Sequence, residues 1–141
     1  MMFKSSLSIL AGALLLSTAT FAAIDVPEVC PSASALQSVG FVADDLNQLD
    51  IGVWYVLTKN TNDYGTDNQW LFAMGLIEGD TQDNAAAASA VMLTTLSGNP
   101  EPEAAEGGYV CLYDTEGGFA AAVTGIDFIS SMRIMQLVHR K

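Results

Sequence analysis

Residues 51–77, IGVWYVLTKNTNDYGTDNQWLFAMGLI, decide the fold. Two apolar runs, Gly52–Lys59 and Gln69–Ile77, flank a polar loop, Asn60–Asn68, and read together as a β-hairpin. Both tryptophans, Trp54 and Trp70, lie here with Tyr55, Phe72 and Met74. Large apolar side chains supply most of the burial free energy of a small domain, so the core grows from this hairpin. In the first run Trp54, Val56 and Thr58 share one face, and Val53, Tyr55 and Leu57 the other. In the second, Trp70, Phe72, Met74 and Leu76 form a strongly apolar face opposite Gln69, Leu71, Ala73, Gly75 and Ile77. Neither face is cleanly polar, which predicts cover on both sides of the sheet. The small Ala73 and Gly75 leave room for a helix to approach closely.

That helix follows directly. Asp80 is the expected N-cap, and Asp83 adds an acid to the first turn, where it suits the helix dipole. Ala85–Ala88 and Ala90 are strong helix formers, and Gly98 with Pro100 ends the helix. Ala85, Ala88, Met92 and Leu96 recur at helical spacing with Leu93 beside them. Ser89 borders this face, with its hydroxyl within reach of the Ala85 carbonyl. Asn99–Gly108, with two prolines, three glutamates and a Gly-Gly pair, reads as a solvated loop.

Two more strands are expected beyond it. Tyr109–Asp114 places Tyr109, Cys111 and Tyr113 on one face. Thr115-Glu116-Gly117-Gly118 is a hairpin turn, since glycine accepts positive φ. Phe119–Thr124 completes the pair, and Ala120 to Ala122 leave space for something bulky above. Asp127–Val138 carries Phe128, Met132 and Met135 at helical spacing, although the alternation of Met132, Ile134, Gln136 and Val138 also fits a strand; its length favours helix.

Upstream, Ile24–Val29 is extended around Pro27. Pro31 and Ser32 introduce a short helix through Ala33, Leu36, Gln37 and Val39 that stops at Gly40. The expected architecture is α+β: a four- to five-stranded antiparallel sheet with packed helices, in the order α-β-β-α-β-β-α. By element order alone this is similar to small profilin-like or roadblock-like sandwiches.

Residues 1–22 have the layout of a secretory signal peptide: one charge (Lys4), an apolar run Leu7–Leu16, and Thr20-Phe21-Ala22 before the expected cleavage. Residues 23–141 are then a single domain of 119 residues, with no membrane segment after cleavage. Localisation is secreted or periplasmic. Cys30 and Cys111 are the only cysteines, and in an exported chain they pair as one disulfide. Closing so long a loop stabilises the fold by roughly 3–4 kcal/mol. Without Lys4 there remain 16 acidic against 4 basic side chains, a formal charge of −12. Such a surface repels nucleic acid and anionic lipid.

Catalytic signatures are missing. The single histidine, His139, stands third from the end, a poor position for a tightly held base. No G-x-S-x-G, H-E-x-x-H or P-loop occurs, and no Cys/His cluster offers a zinc site. The adjacent acids Asp44 and Asp45 read as solvated surface groups. In the 60–68 loop Asn60, Asn62 and Gly65 match calcium-loop offsets, but Tyr64 takes a ligand position and Leu71 stands where the bidentate Glu belongs. It reads as a hairpin loop, so no metal site is expected. The non-enzymatic reading leaves an apolar ligand held by aromatics. Tyr55, Tyr109, Tyr113, Met132, Met135 and His139 are of types that can ligate heme iron axially; Tyr64 and Met74 belong to the same set.

Three stretches carry a resemblance: Val29-Cys30-Pro31, Gly52-Val53-Trp54-Tyr55-Val56-Leu57, and Tyr109-Val110-Cys111-Leu112-Tyr113 before a Gly-Gly turn. With the signal peptide, the chain resembles the small exported hemin-binding proteins of intracellular bacterial pathogens over most of its mature length. The resemblance implies reversible heme binding at an unspecified site and no catalytic residues. The alternative is an exported acidic module whose partner is another protein rather than hemin.

Overall fold

In the computed structural model, which describes residues 26–105 and 107–125, the elements run in order α1 (Ala33–Val39), a 3-10 turn (Ala43–Asp45), β1 (Leu46–Asp50), β2 (Val53–Leu57), β3 (Leu71–Glu78), α2 (Gln82–Thr94), β4 (Glu103–Ala105), β5 (Gly108–Tyr113) and β6 (Phe119–Thr124). All six strands join one antiparallel sheet in the order β1-β2-β3-β6-β5-β4. The α+β class and the disulfide are as expected. The order α-β-β-α-β-β-α is corrected, over these residues, to α-β-β-β-α-β-β-β. The two added strands, β1 and β4, are the sheet's edges. Leu-Asn-Gln-Leu-Asp and Glu-Ala-Ala contain no β-branched or aromatic residue, so a neighbouring strand, not local propensity, makes them strands. The expected helix at Asp127–Val138 lies outside the described residues.

Each α1 and α2 terminus has a local cause. Ser32 Oγ accepts from Ala35 N at 3.1 Å, and Gly40 (φ 68°) closes α1. Thr81 Oγ1, not Asp80, caps α2 by accepting from Asn84 N at 3.1 Å. The helix stops at Thr94, before Gly98, because Ser97 already pairs with Asp114 as a β-bridge. No helix among the described residues is long and apolar enough to cross a membrane.

Both helices pack on one face of the sheet. Leu36, Ala85, Met92 and Leu93 meet Val56, Phe72, Met74, Ile77, Ala120 and Ala122 there. The room above Ala120 and Ala122 is taken up on this side, where Ala122 stands opposite Cys111 and Ala120 opposite Tyr113. Cys30 and Cys111 form the disulfide, with Cα atoms 5.9 Å apart. The Tyr113 hydroxyl donates to the Pro31 carbonyl beside it. The other sheet face gathers Leu57, Leu71, Ala73, Val110, Leu112, Phe119, Ala121 and Val123.

Strict alternation fails at the end of β3. Trp54 pairs with Ile77 and Tyr55 with Gly75, so Leu76 is an extra residue in the ladder. The bulge moves Ile77 into the helix-covered core and leaves Leu76 37% exposed, the reverse of the expected faces. Close helix approach also falls elsewhere than Ala73 and Gly75. A Cβ on Gly79 would lie 2.7 Å from Ala85 N, so it is Gly79 that admits the start of α2. Ser89 is fully buried, and its hydroxyl has no hydrogen-bond partner; the expected bond to Ala85 is not made.

Candidate functional site

The hairpin loop organises itself around short polar side chains. Asn62 Oδ1 accepts from Tyr64 N and Asp63 Oδ1 from Gly65 N, each at 2.8 Å. Trp70 Nε1 donates to Thr66 Oγ1 at 2.8 Å, and Asn62 bridges Trp70. These oxygens serve turn hydrogen bonds, as a hairpin loop requires. Tyr64 takes a left-handed conformation (φ 47°), uncommon outside glycine, and is buried in the core.

The tyrosines singled out for heme divide between the two faces. Tyr55 is half-buried on the face without described helices. A Cβ on Gly75 would sit 3.2 Å from Tyr55 Cβ and 3.3 Å from Phe119 Cε2, so the Phe119 ring lies over Gly75 next to Tyr55. Tyr109 and Tyr113 alternate with Val110 and Leu112 and so share the opposite face with Cys111. Tyr109 is half-buried, opposite Thr124. Tyr113 is buried, and its hydroxyl is occupied by Pro31. Burial pushes the Tyr113 phenol well above its ordinary range, with the nearby Tyr64 adding to the shift. Tyr55 is therefore separated by the sheet from the other two. Met74 is fully buried in the core. Met132, Met135 and His139 lie outside the described residues.

Among the described residues three cavities carry charge. One of about 350 Å³, between the 26–29 segment and the hairpin loop, has Glu28 and Asp67 in its lining. Of the other two, the larger, about 590 Å³, opens between the 99–103 segment and the β5–β6 hairpin. Leu112, Phe119 and Pro100 give it an apolar floor, and Glu101, Glu103 and Asp114 bring three carboxylates. Sequence reading missed this site. Its only signal was the glutamate-rich stretch after Gly98, and the register that sets Glu103 opposite Val110 is not legible in that stretch.

The smaller cavity, about 180 Å³, lies where the 3-10 turn meets the hairpin loop. Asp45, Tyr64 and Thr58 are buried in its wall, and Val39 and Val42 stand exposed beside it. Asp45 is the buried member of the Asp44-Asp45 pair; only Asp44 is exposed, which corrects the reading of both as solvated. Asp45 Oδ2 accepts from Val42 N at 3.0 Å and Oδ1 from Lys59 N at 3.1 Å, so this carboxylate clamps the entry to β1 onto the exit of β2. Burial raises the Tyr64 phenol; the Thr58 hydroxyl offsets part of the shift and the Asp45 charge adds to it. Asp45 and Tyr64 thus share one electrostatic environment. Across the described residues Lys59 is the one lysine or arginine.

Residues 29–137 match the domain of unknown function DUF4949, and the chain belongs to that family. No curated protein and no solved structure matches it.

Proposed function

We propose that this DUF4949 protein is an exported, non-catalytic binding protein whose cleft at the β5–β6 hairpin takes an apolar ligand bearing positive charge. The observation that carries the reading is the cleft: Leu112 and Phe119 beside Glu101, Glu103 and Asp114 in about 590 Å³. An apolar floor supplies burial free energy, while a ring of one charge sign selects the ligand's sign and speeds its approach. The long-range disulfide supports export, since such bonds persist in oxidising compartments. The acidic excess of the whole chain acts in the same direction as the cleft.

The test uses two probes of one shape and opposite charge, tetraphenylphosphonium and tetraphenylborate, in calorimetric titrations. The expected result is saturable binding of the cation, weakened at least tenfold by Glu101→Gln with Asp114→Asn. Equal binding of both probes, or a cation affinity that the double variant leaves intact, would sink the proposal.

Hemin is the second reading, carried by Tyr55. This phenol lies on the face without described helices, beside Phe119, where a planar ligand could stack. The carboxylates of the cleft repel hemin's propionates, so hemin would sit on the Tyr55 side of Phe119. A saturable one-to-one Soret shift that Tyr55→Phe displaces would support it; a linear response would reduce it to non-specific adsorption.

A further inference from the structure

The smaller cavity presents a physical problem that a ligand would solve. Asp45 is 6% exposed, and each of its carboxylate oxygens accepts one backbone N–H, leaving lone pairs unused. Among the described residues it forms no ion pair. A carboxylate taken out of water is stabilised by hydrogen bonds and by a cation, and the described residues supply only the first. The space beside it is about 180 Å³, room for a short side-chain-sized group rather than a drug-sized one. Asp45, Thr58 and Tyr64 are buried in its wall; its exposed rim is Val39 and Val42 on the side of the 3-10 turn and Asn60 and Thr61 on the side of the hairpin loop. A buried carboxylate reached past two valines is the complement of an alkylammonium, whose methylene stem is apolar and whose head carries three donors that the rim amide and hydroxyl can also accept.

We infer that this cavity binds a primary alkylammonium group, with the ammonium on Asp45 and the alkyl stem between Val39 and Val42. The same chemistry is offered by a free amine and by a lysine side chain of a partner. The site is independent of the β5–β6 cleft: it lies at the other end of the sheet order, beside β1, and is too small for tetraphenylphosphonium.

The experiment is an amide-resolved NMR titration of the oxidised protein with n-butylammonium, with n-pentanol as the neutral control. The Val42 and Lys59 amides, which donate to Asp45, are the reporters. The expected result is a saturable shift of these two amides by the ammonium and at least tenfold weaker binding of the alcohol. Val42→Lys, at an exposed position that leaves the Asp45 bonds in place, supplies an internal ammonium at the rim and should weaken n-butylammonium at least tenfold. Asp45→Asn should abolish binding; where that variant fails to fold, Val42→Lys still decides. Nα-acetyl-lysine methylamide separates the sources: binding tighter than n-butylammonium assigns a peptide lysine, and weaker binding a free amine. Equal binding of alcohol and ammonium, or no effect of Val42→Lys, would overturn the inference. Shifts confined to Glu101 and Asp114 would overturn it while leaving the cleft proposal standing.

Discussion

Replacing Ser89 by alanine should make this protein more stable. The Ser89 hydroxyl is fully buried in the middle of α2 and has no hydrogen-bond partner. Folding strips water from that group and returns nothing, a penalty of about 1–3 kcal/mol. Alanine also has the higher helix propensity, by about 0.5 kcal/mol. Against these gains stands the small void left by one oxygen atom, which forfeits contacts amounting to a fraction of a kcal/mol. The net expectation for Ser89→Ala is a gain of about 1–2 kcal/mol, read as a higher urea midpoint at unchanged m-value. In a thermal melt the same gain corresponds to about 4–8 °C for a domain of about 120 residues. Ala87→Ser, at an exposed position of the same helix, is the control; it should lose about 0.5 kcal/mol from propensity alone. A Ser89→Ala protein no more stable than the parent would refute the reasoning, because the hydroxyl would then have a partner such as an internal water.

Four further outcomes follow from the packing. Gly118→Ala should lose about 2–3 kcal/mol, because its Cβ would fall 2.1 Å from the Gly75 carbonyl oxygen and force β6 away from β3. Gly117→Ala, with φ +80° and nothing within 4 Å, should lose only about 1 kcal/mol, and denaturant melts of the pair separate clash from conformational cost. Removing the disulfide by Cys30→Ser with Cys111→Ser should lower stability by about 4 kcal/mol, given the 81-residue separation; reduction with dithiothreitol should match it, and an unchanged urea midpoint would contradict it. Tyr113→Phe should lose about 1–3 kcal/mol at neutral pH by leaving the Pro31 carbonyl without its donor. Tyr64 and Tyr113 both have phenols raised above their ordinary range by burial, so the fold favours their neutral form. Their contribution is complete below the unfolded tyrosine value of about 10 and is lost as pH rises beyond it, as the unfolded chain ionises first. Urea midpoints between pH 8 and 11 should therefore fall, and less steeply in Tyr113→Phe.

What could be read from the sequence followed from strong local patterns. The β2–β3 hairpin was legible because Trp54, Val56, Phe72 and Met74 repeat at period two, and α2 because its alanines precede Gly98 and Pro100. The helix cap is Thr81 rather than Asp80, because it is the Thr81 hydroxyl that accepts from Asn84 N. Other features depend on pairing across the chain. Nothing around Gly75 announces that Leu76 drops out of register with β2, yet that bulge decides which of Leu76 and Ile77 is core. β1 and β4 have weak intrinsic preference and exist because β2 and β5 offer hydrogen bonds to a further strand. Asp45 looked like Asp44 in sequence; its burial comes from Lys59 N, fourteen residues away, reaching back to it. Both candidate cavities share this character, since neither is built from one contiguous stretch. A tyrosine list chosen by residue type could not separate Tyr55 from Tyr113 in role, because the face and the hydrogen-bond partner are set by register.

The topology also explains why one disulfide and one hydrogen bond matter out of proportion to their number. The unit helix-strand-strand-strand occurs twice, and the two meanders meet at β3 and β6, centred on the pair Ala73 and Ala121. Small residues at the seam let the strands pair while larger neighbours pack above and below. The helices are shared across this division. α2, which opens the second unit, lies against β3 and β1 of the first. The segment entering α1 of the first unit is fastened to β5 of the second through Cys30–Cys111 and through Tyr113 to Pro31. Gln37 of α1 then donates to the carbonyl of Leu93 in the last turn of α2 and to that of Leu96 just beyond it, at 2.9 and 3.3 Å. Each meander therefore takes part of its cover from the other unit, and neither three-stranded sheet can bury its apolar face alone. The ties that look peripheral, at residues 30, 31 and 37, hold that exchange in place. They also fix the frame in which the 3-10 turn, the hairpin loop and the two cavities keep their shape.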